Sequence, residues 1–169
     1  QMLDLQKLPE SIAIIGGGVI GVEFASILLG LGQEVTIVEA LPNIIPAEDI
    51  QISDALKYAL MKQGAKILTE TQADKILSKT DENVTFRVRS KDGDTQEISA
   101  EKILVCIGRK ANLENFGLEQ AGVIFNKKYI ETNDKMQTNI RNIYAVGDVT
   151  SSVQLAHVAY HEAKVAALN

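Results

Sequence analysis

The chain has no tryptophan, one cysteine, two histidines and three prolines in 169 residues. Each scarcity removes a class of function. A lone cysteine, Cys106, cannot close a disulfide within one chain, which fits a reducing cytoplasm. His157 and His161 have no cysteine nearby and no metal-ligand pattern, so no metal site is expected. Positive charge is also short: the net charge is −5 and the isoelectric point is near 5.1, which argues against nucleic acid or an anionic membrane as partner. The longest apolar stretch, Ile12 to Val22, is broken by glycines and stops at Glu23, too short to span a bilayer. No basic, apolar leader is read at the front. A hydrophobic content of 46% with 23% charged residues is that of a globular protein with room for a sound core. The chain begins at Gln1 and ends at Asn169 inside a helical pattern, as expected of a piece of a longer protein.

Glycine, by contrast, is concentrated where it carries chemistry. Gly16-Gly17-Gly18-Val19-Ile20-Gly21 reads G-x-G-x-x-G between the apolar run Ile12–Ile15 and a helical pattern starting near Val19. In such a loop the first glycine turns the chain. The second lets backbone approach a pyrophosphate, and the third lets the helix sit close on its strand. The helix N-terminus offers unpaired N–H groups and a positive dipole end to the anion. A second apolar strand, Val35–Val38, ends in Glu39, about twenty residues beyond the loop, where a dinucleotide fold places the acid for a ribose 2′-hydroxyl. A carboxylate there would repel a 2′-phosphate. No Arg or Lys lies between Glu34 and Lys57, so NAD rather than NADP is expected. The competing reading of Glu39 is a solvated acid at a strand end.

Periodicity predicts strands at 11–15, 34–39 and 65–69, and helices at 19–31 and 48–63. Ile20, Phe24, Ile27 or Leu28, and Leu31 would form the buried stripe of the first helix. Ile52, Leu56 and Leu60 would form that of the second. Short strands at 73–79, 84–89 and 95–99, with a hairpin signal at Asp92-Gly93, predict a β-meander serving as crossover in place of a helix. Ile103–Ile107 reads as a buried central strand ending at Gly108-Arg109. Residues 110–139 are loop-rich, with short β pieces near Gly122–Phe125 and Tyr129-Ile130. Ile143–Val146 reads as a strand, and Leu155–Leu168 as a helix of small residues. Asp148, just past a strand's carboxyl end, is either a ligand-binding acid or a turn and cap residue.

Four separated motifs occur in one order: Ile14–Glu23, Val105-Cys106-Ile107-Gly108-Arg109, Asn142–Asp148, and Gln154-Leu155-Ala156-His157. Together they resemble the flavoprotein pyridine nucleotide-disulfide oxidoreductases, most closely the dihydrolipoamide dehydrogenases, from about residue 3 to the end. The resemblance implies an α/β fold: a Rossmann-like NAD-binding domain at 9–112, with a parallel sheet and meander crossover, and a partial central, FAD-contacting segment at 113–169. It implies that Gly16–Gly21 cradle the NAD pyrophosphate, Glu39 holds the adenosine ribose, Ala73 lies beside adenine, and Gly108 lies against the nicotinamide half. Asp148 would accept from the ribitol of FAD, and Gln154–His157 would lie along the flavin. Glu23 would approach the flavin in a whole enzyme, and otherwise complements the helix dipole. Arg109 is either near the cofactor or a solvated strand-end residue. The sequence departs from the family at Ala111, where proline is usual, and at Ala163, where glycine is usual after His161-Glu162.

The family's chemistry needs a redox-active cysteine pair, a flavin with its own upstream glycine loop, and a His–Glu pair from a dimerisation domain. None is read here, and Cys106, in mid-strand, is expected to be an inert buried thiol. The implied activity is that of the parent: dihydrolipoamide and NAD⁺ to lipoamide and NADH, in a 2-oxo-acid dehydrogenase complex. This chain alone is expected to bind NAD(H) without catalysing that reaction, its other partners being the parent's FAD and dimerisation domains. Two alternatives stay open: a non-catalytic, NAD-responsive interaction module, and a fragment of a related NADH oxidase or CoA-disulfide reductase.

Overall fold

The computed structural model describes residues 2–150 and 153–169. The chain divides into two compact units, Gln1–Gly108 and Arg109–Asn169. In the first unit β1 (Ser11–Ile15), β2 (Glu34–Val38), β3 (Lys66–Leu68) and β7 (Lys102–Val105) form a parallel sheet in the order β3-β2-β1-β7. Helices α1 (Val19–Gly30) and α2 (Ile50–Lys62) connect β1 to β2 and β2 to β3. The return from β3 to β7 is made by an antiparallel meander, β4 (Thr71–Lys79), β5 (Val84–Ser90) and β6 (Thr95–Ala100). The Rossmann-like parallel sheet and the meander crossover are as the sequence predicts.

Strand alternation explains why both faces of the parallel sheet are apolar. Ile12, Ile14, Val35 and Ile37 point to one side and pack with Val22, Ala25 and Leu28 of α1 and Leu60 of α2. Ala13 and Val38 point to the other, against Phe86 and Val88 of β5 and Ile98 and Ala100 of β6. A sheet of helices on one face and a meander on the other must be hydrophobic on both, and these strands are.

Three expectations change in this unit. The buried stripe of α1 is Gly21, Val22, Ala25 and Leu28, while Ile20, Ile27 and Leu31 are exposed and Phe24 is half-buried. A helix apolar all round leaves its phase open in the sequence, and small residues win because α1 lies so close to its strand. In α2 the inward residue is Ser53, not Ile52; its buried hydroxyl donates to the Ile44 carbonyl at 2.7 Å, and Asp49 caps the helix by accepting from Gln51 N at 2.8 Å. β7 stops at Val105 and is the outer strand of its sheet rather than a central one, with Val105 and Ile107 exposed.

The second unit holds helix α3 (Ala156–Ala167) and a small cluster of Val123, Ile130 and Ala145, with Leu118, Phe125 and Ile143 packed on it. The expected strand at Ile143–Val146 is not formed. Its backbone instead serves loops: Thr138 N donates to Ile143 O at 2.9 Å, and Ala145 N to Met136 O at 3.0 Å. Only isolated bridges join Gln137 to Tyr144 and Phe125 to Ile130. Among the described residues no helix is long and apolar enough to cross a membrane.

The closeness of α1 is set by Gly21, where a Cβ would stand 2.0 Å from the Gly16 carbonyl oxygen. That oxygen is backbone and cannot swing aside. Gly21→Ala should therefore cost about 3 kcal/mol or more in urea unfolding. Gly18→Ala, where a Cβ meets nothing within 4 Å, should cost no more than about 1 kcal/mol.

Candidate functional site

The glycine loop is closed on three sides by backbone. Gly16 has φ +108°, its N–H donates to Val38 O at 2.8 Å, and a Cβ there would lie 2.4 Å from the Cys106 carbonyl oxygen. Gly17 accepts from Ile45 N at 2.7 Å, which draws the 39–46 loop onto the glycines. A Cβ on Gly17 would lie 2.9 Å from Ile44 Cγ2. Gly18 is different. It is the N-cap of α1 in extended conformation, makes no side-chain cap hydrogen bond, and borders open space. The first turn of α1 carries no acidic residue, so its N–H groups and dipole end keep their pull on an anion. Val19 and Ile20 follow in that turn, exposed, and so is Glu23.

Glu39 is not a solvated strand-end acid. It is 7% exposed, and both carboxylate oxygens are engaged: Oε2 accepts from Gly17 N at 2.6 Å and Oε1 from Leu41 N at 2.7 Å. A buried carboxylate persists only when its oxygens are matched by donors. Here the donors are the glycine loop and the segment following β2, so the two parts of the expected nucleotide site are joined by one side chain. Ala73 lies exposed on β4, opposite Val88, and Gly108 is exposed with φ +123°.

In the second unit Asp148 sits in a single 3-10 turn, Gly147–Val149. Arg109 Nη2 is 3.0 Å from Asp148 Oδ2, so Arg109 is not simply solvated but ion-paired with Asp148. Gln154 Nε2 lies 3.4 Å from the Asp148 carbonyl oxygen. Leu155 is the N-cap of α3, and Ala156 and His157 open that helix, all three exposed. The sequence reading missed Glu162. It is 6% exposed, and its Oε2 accepts from Gly147 N at 2.6 Å. The available signal in the sequence was a lone acid in a helix otherwise rich in alanine. Among the described residues no cluster of three His, Cys, Asp or Glu could hold a metal ion. A surface depression of about 630 Å³ is lined by Glu114, Asn115, Gly117, Glu119 and Gln120 of the second unit, none of them in the glycine loop.

The family model for pyridine nucleotide-disulphide oxidoreductases matches residues 1–163. The chain belongs to that family. It is 42% identical over 167 residues to a dihydrolipoyl dehydrogenase of Bacillus subtilis, covering 98% of this chain and 35% of that one. With a dihydrolipoyl dehydrogenase of Mycobacterium leprae it shares 45% over 163 residues, covering 96% and 34%. The crystal structure of the HOCl-induced flavoprotein disulfide reductase RclA from Escherichia coli superimposes with a TM-score of 0.85 at 31% identity, covering 96% of this chain and 36% of that one. The chain thus spans about a third of the length of the curated relatives it matches.

Disulfide reductases are oxidoreductases, and Cys106 is this chain's one thiol. Cys106 follows β7 rather than lying mid-strand, and is half-buried against the helix-side core. Its N–H donates to Ile15 O at 2.7 Å. Burial pushes its thiol above the ordinary cysteine range. A raised pKa means less thiolate at any pH below it. Alkylation of Cys106 by iodoacetamide at neutral pH should run several-fold slower than that of free cysteine, timed by mass spectrometry. For Glu39, removal of the carboxylate strands two N–H donors, so Glu39→Ala should lose about 1–3 kcal/mol in urea unfolding.

Proposed function

We propose that the chain is the NAD(H)-binding part of a dihydrolipoyl dehydrogenase-like flavoprotein disulfide reductase. One observation carries the reading: a glycine at the N-cap of α1, open to solvent, stands beside a buried acid tied to the same loop. Gly16, Gly17, Gly18, Val19, Ile20 and Gly21 would cradle the pyrophosphate: the N–H groups of Gly16 and Gly17 are given to Val38 and Glu39, and those of Gly18 to Gly21 at the helix start would meet the anion, with no basic side chain needed. Glu39 keeps lone pairs on both oxygens after accepting from Gly17 and Leu41, and would use them on the adenosine ribose hydroxyls. Its charge disfavours a 2′-phosphate, so NAD is the nucleotide proposed. Ala73 would flank adenine and Gly108 the nicotinamide half.

The 169-residue chain is the unit that binds. Bound NAD⁺ supplies a hydride acceptor, and the residues here bind and orient it. In the parent enzyme Asp148 would accept from the ribitol of FAD, with Gln154, Leu155, Ala156 and His157 along the flavin and Glu23 near it. Arg109 would serve the cofactor by orienting the Asp148 carboxylate. Exchange with dihydrolipoamide needs a pair of thiols, and this chain has one. The proposal therefore assigns NAD(H) binding to this chain. It assigns lipoamide chemistry, FAD and membership of a 2-oxo-acid dehydrogenase complex to the whole protein in the cytoplasm.

Calorimetric titration should show saturable NADH binding by this chain, with NADPH at least tenfold weaker. Gly18→Val should abolish binding while leaving the urea midpoint near that of the parent chain. Equal binding by Gly18→Val, or turnover of dihydrolipoamide by the pure chain, would contradict the assignment.

A further inference from the structure

The fold links a lysine, through Glu70, to the segment that follows the ribose acid of the proposed site, although none is near it in sequence. Thr71 N donates to Glu39 O at 2.9 Å, and Glu70 N to Leu41 O at 3.0 Å. Residues 70 and 71 are thus bonded to the same short segment whose first side chain is Glu39. Glu70 has φ +51°, a left-handed conformation uncommon outside glycine, and its carbonyl accepts from Lys91 N at 2.9 Å. Lys91 Nζ closes the link, 2.6 Å from Glu70 Oε1. The charged form of Lys91 is favoured, first by this hydrogen bond, and its pKa is raised.

Lys91 is also the end of a row. Arg87 and Arg89 on β5 and Lys91 beyond it alternate with Phe86 and Val88, which face the core. Each cation of the row has an acid. Asp74, at the β4 bulge next to Ala73, holds Arg87 at 2.7 Å and Arg89 at 3.1 Å. Glu70 holds Lys91. A row of cations on the adenosine side would attract a 2′-phosphate, and here all three are ion-paired, the two arginines sharing Asp74 and Lys91 having Glu70 to itself.

We infer that Glu70 is a second specificity determinant: by pairing with Lys91 it withholds that cation from an adenosine 2′-phosphate and so reinforces the discrimination made by Glu39. The inference rests on the reading of Glu39 as the ribose acid. Without Glu70, the flexible Lys91 side chain is free to turn to a phosphate, and one repelling charge is gone. The effect is that of an exposed pair, so it is modest and salt-sensitive.

The test is titration of the full 169-residue chain with NADH and NADPH. Glu70→Gln should tighten NADPH about fivefold and leave NADH within about twofold. High salt should erase the gain, and Lys91→Met added to Glu70→Gln should cancel it. Glu70→Gly, which suits the left-handed backbone, should give the same gain and guards against a folding defect. NADH binding with an unchanged NADPH-to-NADH ratio in both Glu70 variants overturns this inference alone, as does a gain that survives Lys91→Met. No NADH binding by the parent chain overturns it together with the reading beneath it.

Discussion

The first unit is organised around one buried carboxylate. Glu39 accepts from Gly17 on one side and Leu41 on the other, and by doing so fixes where the glycine loop ends and where the chain leaves β2. A charge in that position is unfavourable unless its oxygens have donors. The matching therefore dictates the loop: Gly17 must be glycine because Ile44 and Glu39 leave no room, and Ile45 must come in to donate to the Gly17 carbonyl. The second unit repeats the device, with Glu162 of α3 accepting from Gly147 beside Asp148. In both places an acid on a neighbouring element holds a glycine N–H and leaves the adjoining residue facing outward.

The layers follow from strand alternation and from Gly21. Both faces of β1 and β2 are apolar, so the sheet needs cover on both sides, and the meander supplies what a crossover helix would otherwise give. A three-stranded crossover has a consequence that a helix would not. Its turns bring charges back toward the end of β2, which is how Lys91 comes to pair with Glu70, itself bonded to the segment after Glu39.

The strands, the two helices of the first unit and the meander were legible in the sequence because each is a local pattern. Period two, period 3.6 and turn signals such as Asp92-Gly93 need no tertiary knowledge. The phase of α1 was not legible, since a helix with apolar residues on all sides does not say which face is inward; the backbone contact at Gly21 decides it. Ser53 was missed because its partner, the Ile44 carbonyl, is a tertiary neighbour. Ile143–Val146 reads as a strand but has no sheet to join, and its hydrogen bonds go to the 136–138 loop. Of the site, the glycine loop and Glu39 were visible as motif and spacing, whereas the Arg109–Asp148 pair, Glu162 and Lys91 depend on contacts between residues distant in sequence.

The central claim is that the glycine loop open at Gly18, with Glu39 bonded to its Gly17, receives a dinucleotide. Residue-resolved NMR during NAD⁺ titration tests it most directly, because it reports position as well as binding. The account predicts saturable shifts of the Gly16–Gly21 and Leu41 amides, with the amides of the 114–120 depression unmoved. Shifts confined to the second unit, or none at the glycine loop at saturating NAD⁺, would contradict it.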